Sequence, residues 1–347
     1  MIGRCSITGL ARVLITTLVF SSPTISWAND IYIRQVGNDV DIDIIQDGSD
    51  NKIRSLNTTS GDAILSGNDK TVSLTQEGDN NRIGIWTSGS DQTITVVQKG
   101  DTNVSKIDNH GNDNTINLDI DGDNNVTHSE IGNGGDEDNI LNVTVHGDSN
   151  NVYTEVLNGD DNNIDVQIRS QDSNVNRVIV NGNDNDIKAW QGKHEDGSVD
   201  VDETGDNDVY WIVTGNNNEL ESYQTDDRGN GGQHIANYIT GDNNIVKHTQ
   251  RGSGDHQGFI EIGGDGNNVE LLQRGNSQNM FADIVLDDGH TLDVTQRHAN
   301  HTTNIDLTNG GGAYNLTLSQ MAGTNQTYDM TGTCTNANGC AVTVNQN

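Results

Sequence analysis

Apolar residues recur at every second position in short stretches along the chain: Ile94 and Val96; Ile116, Leu118 and Ile120; Ile164, Val166 and Ile168; Val209, Trp211 and Val213. A period of two puts the apolar side chains on one face of a strand, whereas a helix buried on one side would repeat at three and four. Each stretch has about five residues, the length of a short half-buried strand. Glycines punctuate the stretches. Gly67, Gly78, Gly89, Gly100, Gly111 and Gly122 recur every 11 residues, and Gly37 and Gly48 share that spacing. The interval then loosens through Gly135, Gly147, Gly159, Gly182, Gly205, Gly215, Gly241, Gly252 and Gly266.

A polar triplet ending in asparagine follows many of these glycines, as in Gly78-Asp79-Asn80-Asn81, Gly100-Asp101-Thr102-Asn103, Gly122-Asp123-Asn124-Asn125 and Gly241-Asp242-Asn243-Asn244. Glycine and asparagine tolerate positive φ, so each cluster reads as a tight turn, with Gly48, Gly67, Gly78, Gly89, Gly100, Gly111 and Gly122 as the turn glycines. One strand and one turn cannot bury an apolar face alone, so copies must stack. The predicted fold is an all-β solenoid with two short strands per roughly 22-residue coil, built from 11-residue half-repeats. Stacking sets like positions above one another. Asn51, Asn81, Asn103, Asn114 and Asn125, continued by Asn150, Asn162, Asn185, Asn218 and Asn244, then form one polar ladder along the axis.

Several units also carry glutamine two residues before the glycine: Gln46-Asp47-Gly48-Ser49-Asp50-Asn51, Gln76-Glu77-Gly78-Asp79-Asn80-Asn81 and Gln98-Lys99-Gly100-Asp101-Thr102-Asn103. Looser versions stand at Gln35-Val36-Gly37, Gln250-Arg251-Gly252, Gln273-Arg274-Gly275 and Gln320 to Asn325. This Q-x-G-x-x-N pattern resembles the curlin repeat, whose family forms curli, the amyloid fimbriae of bacterial surfaces. The resemblance implies that Gln46, Gln76 and Gln98, with Asn51, Asn81 and Asn103, are inward polar pairs that hold coils in register. It also implies passage through an outer-membrane secretion pore, assembly with itself or a related curlin-like subunit, and roles in cell adhesion and biofilm. Two departures stand beside it: the middle of the chain has Asn109, Ile120, Val145 or Leu157 in place of glutamine, and the chain is strongly acidic.

The start of the chain reads differently. Arg4 and Arg12, the apolar run Val13 to Phe20 and the small-residue site Ser26-Trp27-Ala28 have the form of a secretory signal peptide cleaved near Ala28. The run is too short for a membrane-spanning helix, so no membrane insertion is expected. The only proline lies in this segment, which leaves every later position able to donate to a sheet. Residues 29–330 are read as the solenoid. Residues 331–347 are read as a C-terminal cap hairpin closed by a Cys334–Cys340 disulfide, the form expected of two cysteines after export.

Acidic residues outnumber basic ones by 51 to 18, a formal net charge of −33 that disfavours nucleic acid as a partner. Stacked carboxylates after the turn glycines, such as Asp79, Asp101, Asp123, Asp148, Asp160, Asp206 and Asp242, are expected to repel one another, and loosely bound Ca²⁺ is one way to relieve them. No specific metal site or cofactor is read. Asp119 to Asp123 opens like a calcium loop, yet Asn124 stands where that loop needs glycine. The chain has no HExxH, no GxSxG and no phosphate-cradling loop, and His110, His146, His194 and His248 follow no pairing by spacing. The reading is a secreted structural protein and not an enzyme. The alternatives are a monomeric, cation-stabilised surface- or glycan-binding solenoid and a polysaccharide-active β-helix enzyme.

Overall fold

The alternating stretches are strands, and no helix occurs among the described residues of this computed structural model. Those residues are 4–7, 29–35, 40–54, 63–132, 137–169, 175–190, 207–223, 233–249, 256–272, 281–285, 289–297, 301–306, 313–320, 326–331 and 339–346. The chain forms two compact units, Met1–Asn163 and Ile164–Asn347, and parallel strands stack in each as a β-solenoid.

In the first unit successive strands go alternately to two sheets. The first sheet holds Asp30–Gln35, Lys52–Ile53 with Ala63–Leu65, Arg82–Thr87, Val104–Asn109, Val126–Ile131 and Asn151–Asn158. The second holds Asp41–Ile42 with Ile45–Asp47, Thr71–Val72 with Thr75–Glu77, Thr93–Lys99, Thr115–Asp121 and Ile140–His146. Thr93 pairs with Thr115 and Val104 with Val126, a coil of 22 residues. The coil lengthens to 25 where Thr115 meets Ile140, and to 30 where Gln46 meets Gln76. The extra residues fall between paired segments, so the register of inward side chains survives.

That register is held by the core. Ile83, Ile85 and Ile107 from one sheet and Ile94, Val96, Ile116, Leu118 and Ile120 from the other are all buried. Slipping any strand by one residue would turn this set outward and the polar set inward. Arg4–Ile7, inside the expected leader, pairs in parallel with Tyr32–Gln35.

The second unit repeats the arrangement with less regular coils. Asn218 sits 33 residues after its counterpart Asn185, and Asp265 sits 23 after Asp242. Its first sheet holds Val175–Asn181, Asn207–Tyr210 with Val213–Thr214, Gln233–Asn237, His256–Glu261, Phe281–Val285, His301–Asp306 and Gln326–Thr331. Ile245–Thr249, Asn268–Leu272, Thr291–Gln296, Tyr314–Gln320 and Cys340–Gln346 pair in that order opposite it.

The C-terminal segment differs from the expected hairpin. Cys340–Gln346 pairs in parallel with Tyr314–Gln320, because Val342 and Val344 continue the alternation of Leu316 and Leu318 and can add one more rung. Cys340 is disulfide-bonded, and Cys334 lies outside the described residues.

Candidate functional site: the stacked polar columns

The turn glycines make room for the stack. Gly78 has φ +101°, and a Cβ built there would lie 2.2 Å from the Gly100 carbonyl oxygen one coil on. Gly48, Gly67, Gly89, Gly100 and Gly122 also hold positive φ, whereas Gly111 sits in a bend without it. A second left-handed residue follows two places later, filled by Asp50, Asn80, Thr102, Asp113 or Asn124. Aspartate fills this position as readily as asparagine, for its short side chain bonds locally and tolerates the conformation.

Next in each turn comes the asparagine. Asn51, Asn81, Asn103, Asn114 and Asn125 are all fully buried. Each of the first three works in the same way. The Asn81 amide accepts from the Asn103 backbone N–H at 2.9 Å and donates to the Gly100 carbonyl at 2.7 Å and to the Glu77 carbonyl at 3.2 Å. Asn51 and Asn103 repeat the set, so most axial bonds here run from side chain to backbone. Bonds between asparagine side chains occur as well, from Asn150 to Asn125 at 3.0 Å and from Asn162 to Asn139 at 2.9 Å. In the second unit Asn185, Asn218, Asn244 and Asn267 form the equivalent column, which passes to His290 and Tyr314.

The single ladder expected is two columns, because each 22-residue coil holds two such turns: Asn114, Asn139 and Asn162 stack apart from Asn51, Asn81, Asn103 and Asn125. Two members of this opposite column are not asparagine. Lys70 and Gln92 stand where Asn114 and Asn139 stand in later coils, three residues past Gly67 and Gly89. Both are fully buried. The Lys70 ammonium donates to the Gly89 carbonyl, to Ser88 O at 3.1 Å and to Gln92 Oε1 at 2.8 Å, and Gln92 donates to the Gly111 carbonyl. They therefore reach glycine carbonyls equivalent to those the asparagines reach in other turns. Burial lowers the Lys70 amine to about 8, opposed in part by the nearby Asp91.

The glutamines form a separate inner column on the second sheet. Gln46 donates to Gln76 at 2.7 Å and Gln76 to Gln98 at 3.0 Å. The column stops at Gln98, whose register partner is Ile120, and Gln98 Nε2 turns instead to Ser105 Oγ at 2.8 Å. These glutamines bond to each other and not to the asparagines.

The outer edge of the turns holds a feature that sequence reasoning treats only as repulsion. Asp79, Asp101, Asp123 and Asp148 stand one above another, and each carboxylate accepts from the backbone N–H of the same position one coil back, at 2.6–2.7 Å. Asn112 and Asn216 accept in the same way at 3.0 and 2.8 Å. Aligned N–H groups offset part of the like-charge cost, since hydrogen bonds to ionised acceptors are the strong ones. Asp206 lies outside the described residues.

Charged groups also gather on the outer face of the first sheet. Lys106 Nζ lies 3.1 Å from His128 Nε2, which lies 3.2 Å from Glu130, and His110 lies 2.8 Å from Asp108 with Trp86 edge-on to its ring. Burial raises the Asp108 carboxyl, opposed by His110, while burial and Lys106 lower the His128 imidazole. Among the described residues no group of three or more His, Cys, Asp or Glu is placed to hold a metal ion.

The segment with Lys70, Gln76, Asn81, Gln92 and Gln98 is also where a known family is found. Residues 67–100 match the curlin associated repeat. The matched curlin segment runs from one turn glycine to another and spans both kinds of polar column. No curated protein matches the chain.

Proposed function

We propose that this chain is a secreted, curlin-like structural subunit of an extracellular amyloid fibre, acting in adhesion and the biofilm matrix. The curlin match and the β-solenoid support a structural protein. The observation that carries fibre growth is the likeness of the first and last rungs of the second-sheet face. Val40, Ile42, Ile44 and Gln46 in the first have the same spacing as Cys340, Val342, Val344 and Gln346 in the last. Val342 and Val344 are only half-buried, whereas Leu316 and Leu318 one rung earlier are fully buried. Gln296, Gln320 and Gln346 share one register position on three successive strands, and Gln46 Oε1, itself buried, has no hydrogen-bond partner. A second copy added to the last rung would cover the valines and bring the strand of Gln46 into register with that of Gln346. Such a head-to-tail contact does not close on itself and propagates as a filament.

Cleavage near Ala28 would remove Arg4–Ile7 from the edge of Tyr32–Gln35 and free that edge for pairing. Export through an outer-membrane pore and nucleation on a related subunit complete the reading. The test is to follow the chain beginning at Asn29 by thioflavin fluorescence and electron microscopy, with and without Ca²⁺. Fibres with a strand spacing of about 4.8 Å along their axis are expected, with Val342→Lys plus Val344→Lys blocking growth. A chain that stays a folded monomer for days sinks the fibre reading, and a lag that shortens with Ca²⁺ assigns the acidic edge to loose cation binding.

A further inference from the structure

The outer face of the first sheet in the second unit carries a row of rings where the first unit carries charges. Arg177, Tyr210, Ala236 and Phe259 share one register position on four adjacent strands. Arg177 stacks on Tyr210 at 5.3 Å from the ring centroid. Tyr238 then bridges Tyr210 at 5.8 Å and Phe259 at 5.2 Å. The small Ala236, placed between Tyr210 and Phe259, leaves the space that the Tyr238 ring enters. Tyr238 is 36% exposed, and Tyr210, Phe259, Ile179 and Ile212 are half-buried on the same face. Glu261, two residues past Phe259 and on the same face, is exposed at the far end of the row.

We infer that this ridge is a lateral contact for a second copy of the chain, packed face to face in the reverse direction. Three observations select that occupant. The rings tilt by 76° and 64° to one another, which gives an interdigitating surface of edges and faces and not the flat platform on which a sugar ring stacks. Tyrosine, phenylalanine and arginine are the residues enriched at protein contacts, and this row sets them side by side on a chain with few aromatic residues. The ridge also has a cation at one end and a carboxylate at the other. A two-fold axis lying in the contact and crossing the ridge reverses its direction, so Arg177 of each copy comes over the Phe259–Glu261 end of the other. The contact is four strands wide, about 14 Å at the usual strand spacing, which makes a weak pair in solution that multiplies when many copies are aligned.

Sedimentation velocity of the full chain, at concentrations where no fibres form, should show a concentration-dependent monomer–dimer equilibrium. Tyr238→Ser should weaken it about tenfold or more. The decisive arm mixes two variants. Arg177→Glu alone and Glu261→Arg alone each set like charges together at both ends of the pair and should stay monomeric. Their equimolar mixture restores both opposite-charge contacts and should dimerise as the unaltered chain does. A mixture that stays monomeric while both variants keep the circular dichroism of the unaltered chain overturns the pairing, as does an unaltered chain that never dimerises. Retention of that monomer on a neutral glucan matrix, lost in Tyr238→Ser, would give the ridge to a polysaccharide and likewise overturn it. Thioflavin elongation reads the end-to-end reading separately and should be unchanged in Tyr238→Ser, whose site lies on the outer face.

Discussion

Gln46, Gln76 and Gln98 occupy one buried column of the first unit, and Ile120 and Val145 occupy its continuation with the same strand register. The backbone does not register the change: all five side chains are at most 2% exposed. What changes is how the interior is satisfied. A glutamine there needs a donor or acceptor above and below it, and Gln98 at the boundary finds Ser105 on the facing sheet once Ile120 offers nothing. Isoleucine and valine need only to fill space. The solenoid is thus set by turns, spacing and the asparagine columns, while the glutamines mark a local variant of its interior. The curlin match at 67–100 takes in Gln76 and Gln98, while Gln46 and much of the parallel stacking lie outside it.

If the asparagines rather than the glutamines hold the coils, removing them must cost most. Asn81→Ala with Asn103→Ala orphans the backbone N–H of Asn103 and Asn125 and the carbonyls of Gly100 and Gly122. At about 1–3 kcal/mol for each buried group left without a partner, part of it recovered by relaxation, the pair should lose about 3–6 kcal/mol. Denaturant unfolding with two exposed-turn substitutions as controls reads this. Unchanged unfolding would remove the columns from the account of stability.

A smaller effect tests the boundary itself. Gln98→Ile leaves Gln76 Nε2 buried without its acceptor and should cost about 1–3 kcal/mol. Changing Gln46, Gln76 and Gln98 together to isoleucine removes both partners of the two glutamine–glutamine bonds, extends the apolar column of Ile120 upward, and should cost less than the single change. A triple variant weaker than the single one would mean that the glutamine column is not interchangeable with its apolar continuation.

The strands, the 22-residue coil and the asparagine columns were legible because a fixed offset from glycine repeats many times. Lys70 and Gln92 were missed for a correctable reason: they stand at the same offset, and only their chemistry hides them. The aromatic ridge was not legible. Tyr210, Tyr238 and Phe259 are separated by unequal lengths of chain, and only the strand register brings their rings together. Nor could the bonding of the stacked aspartates be read, since it depends on the aim of each side chain at an N–H one coil away. Trp211, which the alternation with Val209 and Val213 sets on an apolar face, is fully buried.

Lys70 gives the comparison a pH dependence. Its folded-state value of about 8 lies below the ordinary 10.5, so between those values the unfolded chain holds a proton that the folded chain has released. Stability therefore rises with pH across that window. Lys70→Asn restores the column residue of the later coils and removes the cost of burying an ammonium ion. It should stabilise the chain near pH 7 by about 1–2 kcal/mol and flatten the rise relative to the unaltered chain. Parallel curves for the two proteins from pH 7 to 10.5 would contradict the assignment.

The smallest effect concerns the outer edge, where the column accepts aspartate in most coils and asparagine at Asn112 and Asn216. Because the neutral residue accepts the same backbone N–H, the fold requires the acceptor and not the charge. Asp101→Asn should then leave stability unchanged in salt and raise it slightly at low ionic strength, where Asp79 and Asp123 repel most. Asp101→Ala, which removes the acceptor from Asp79 N–H, should lose about 1 kcal/mol or less in both conditions. If Asp101→Asn costs as much as Asp101→Ala, the carboxylate itself stabilises the turn. If it costs nothing, the net charge of −33 is not demanded by folding, and the acidic edge acts between molecules, where repulsion limits contact to the rungs and faces that lack it.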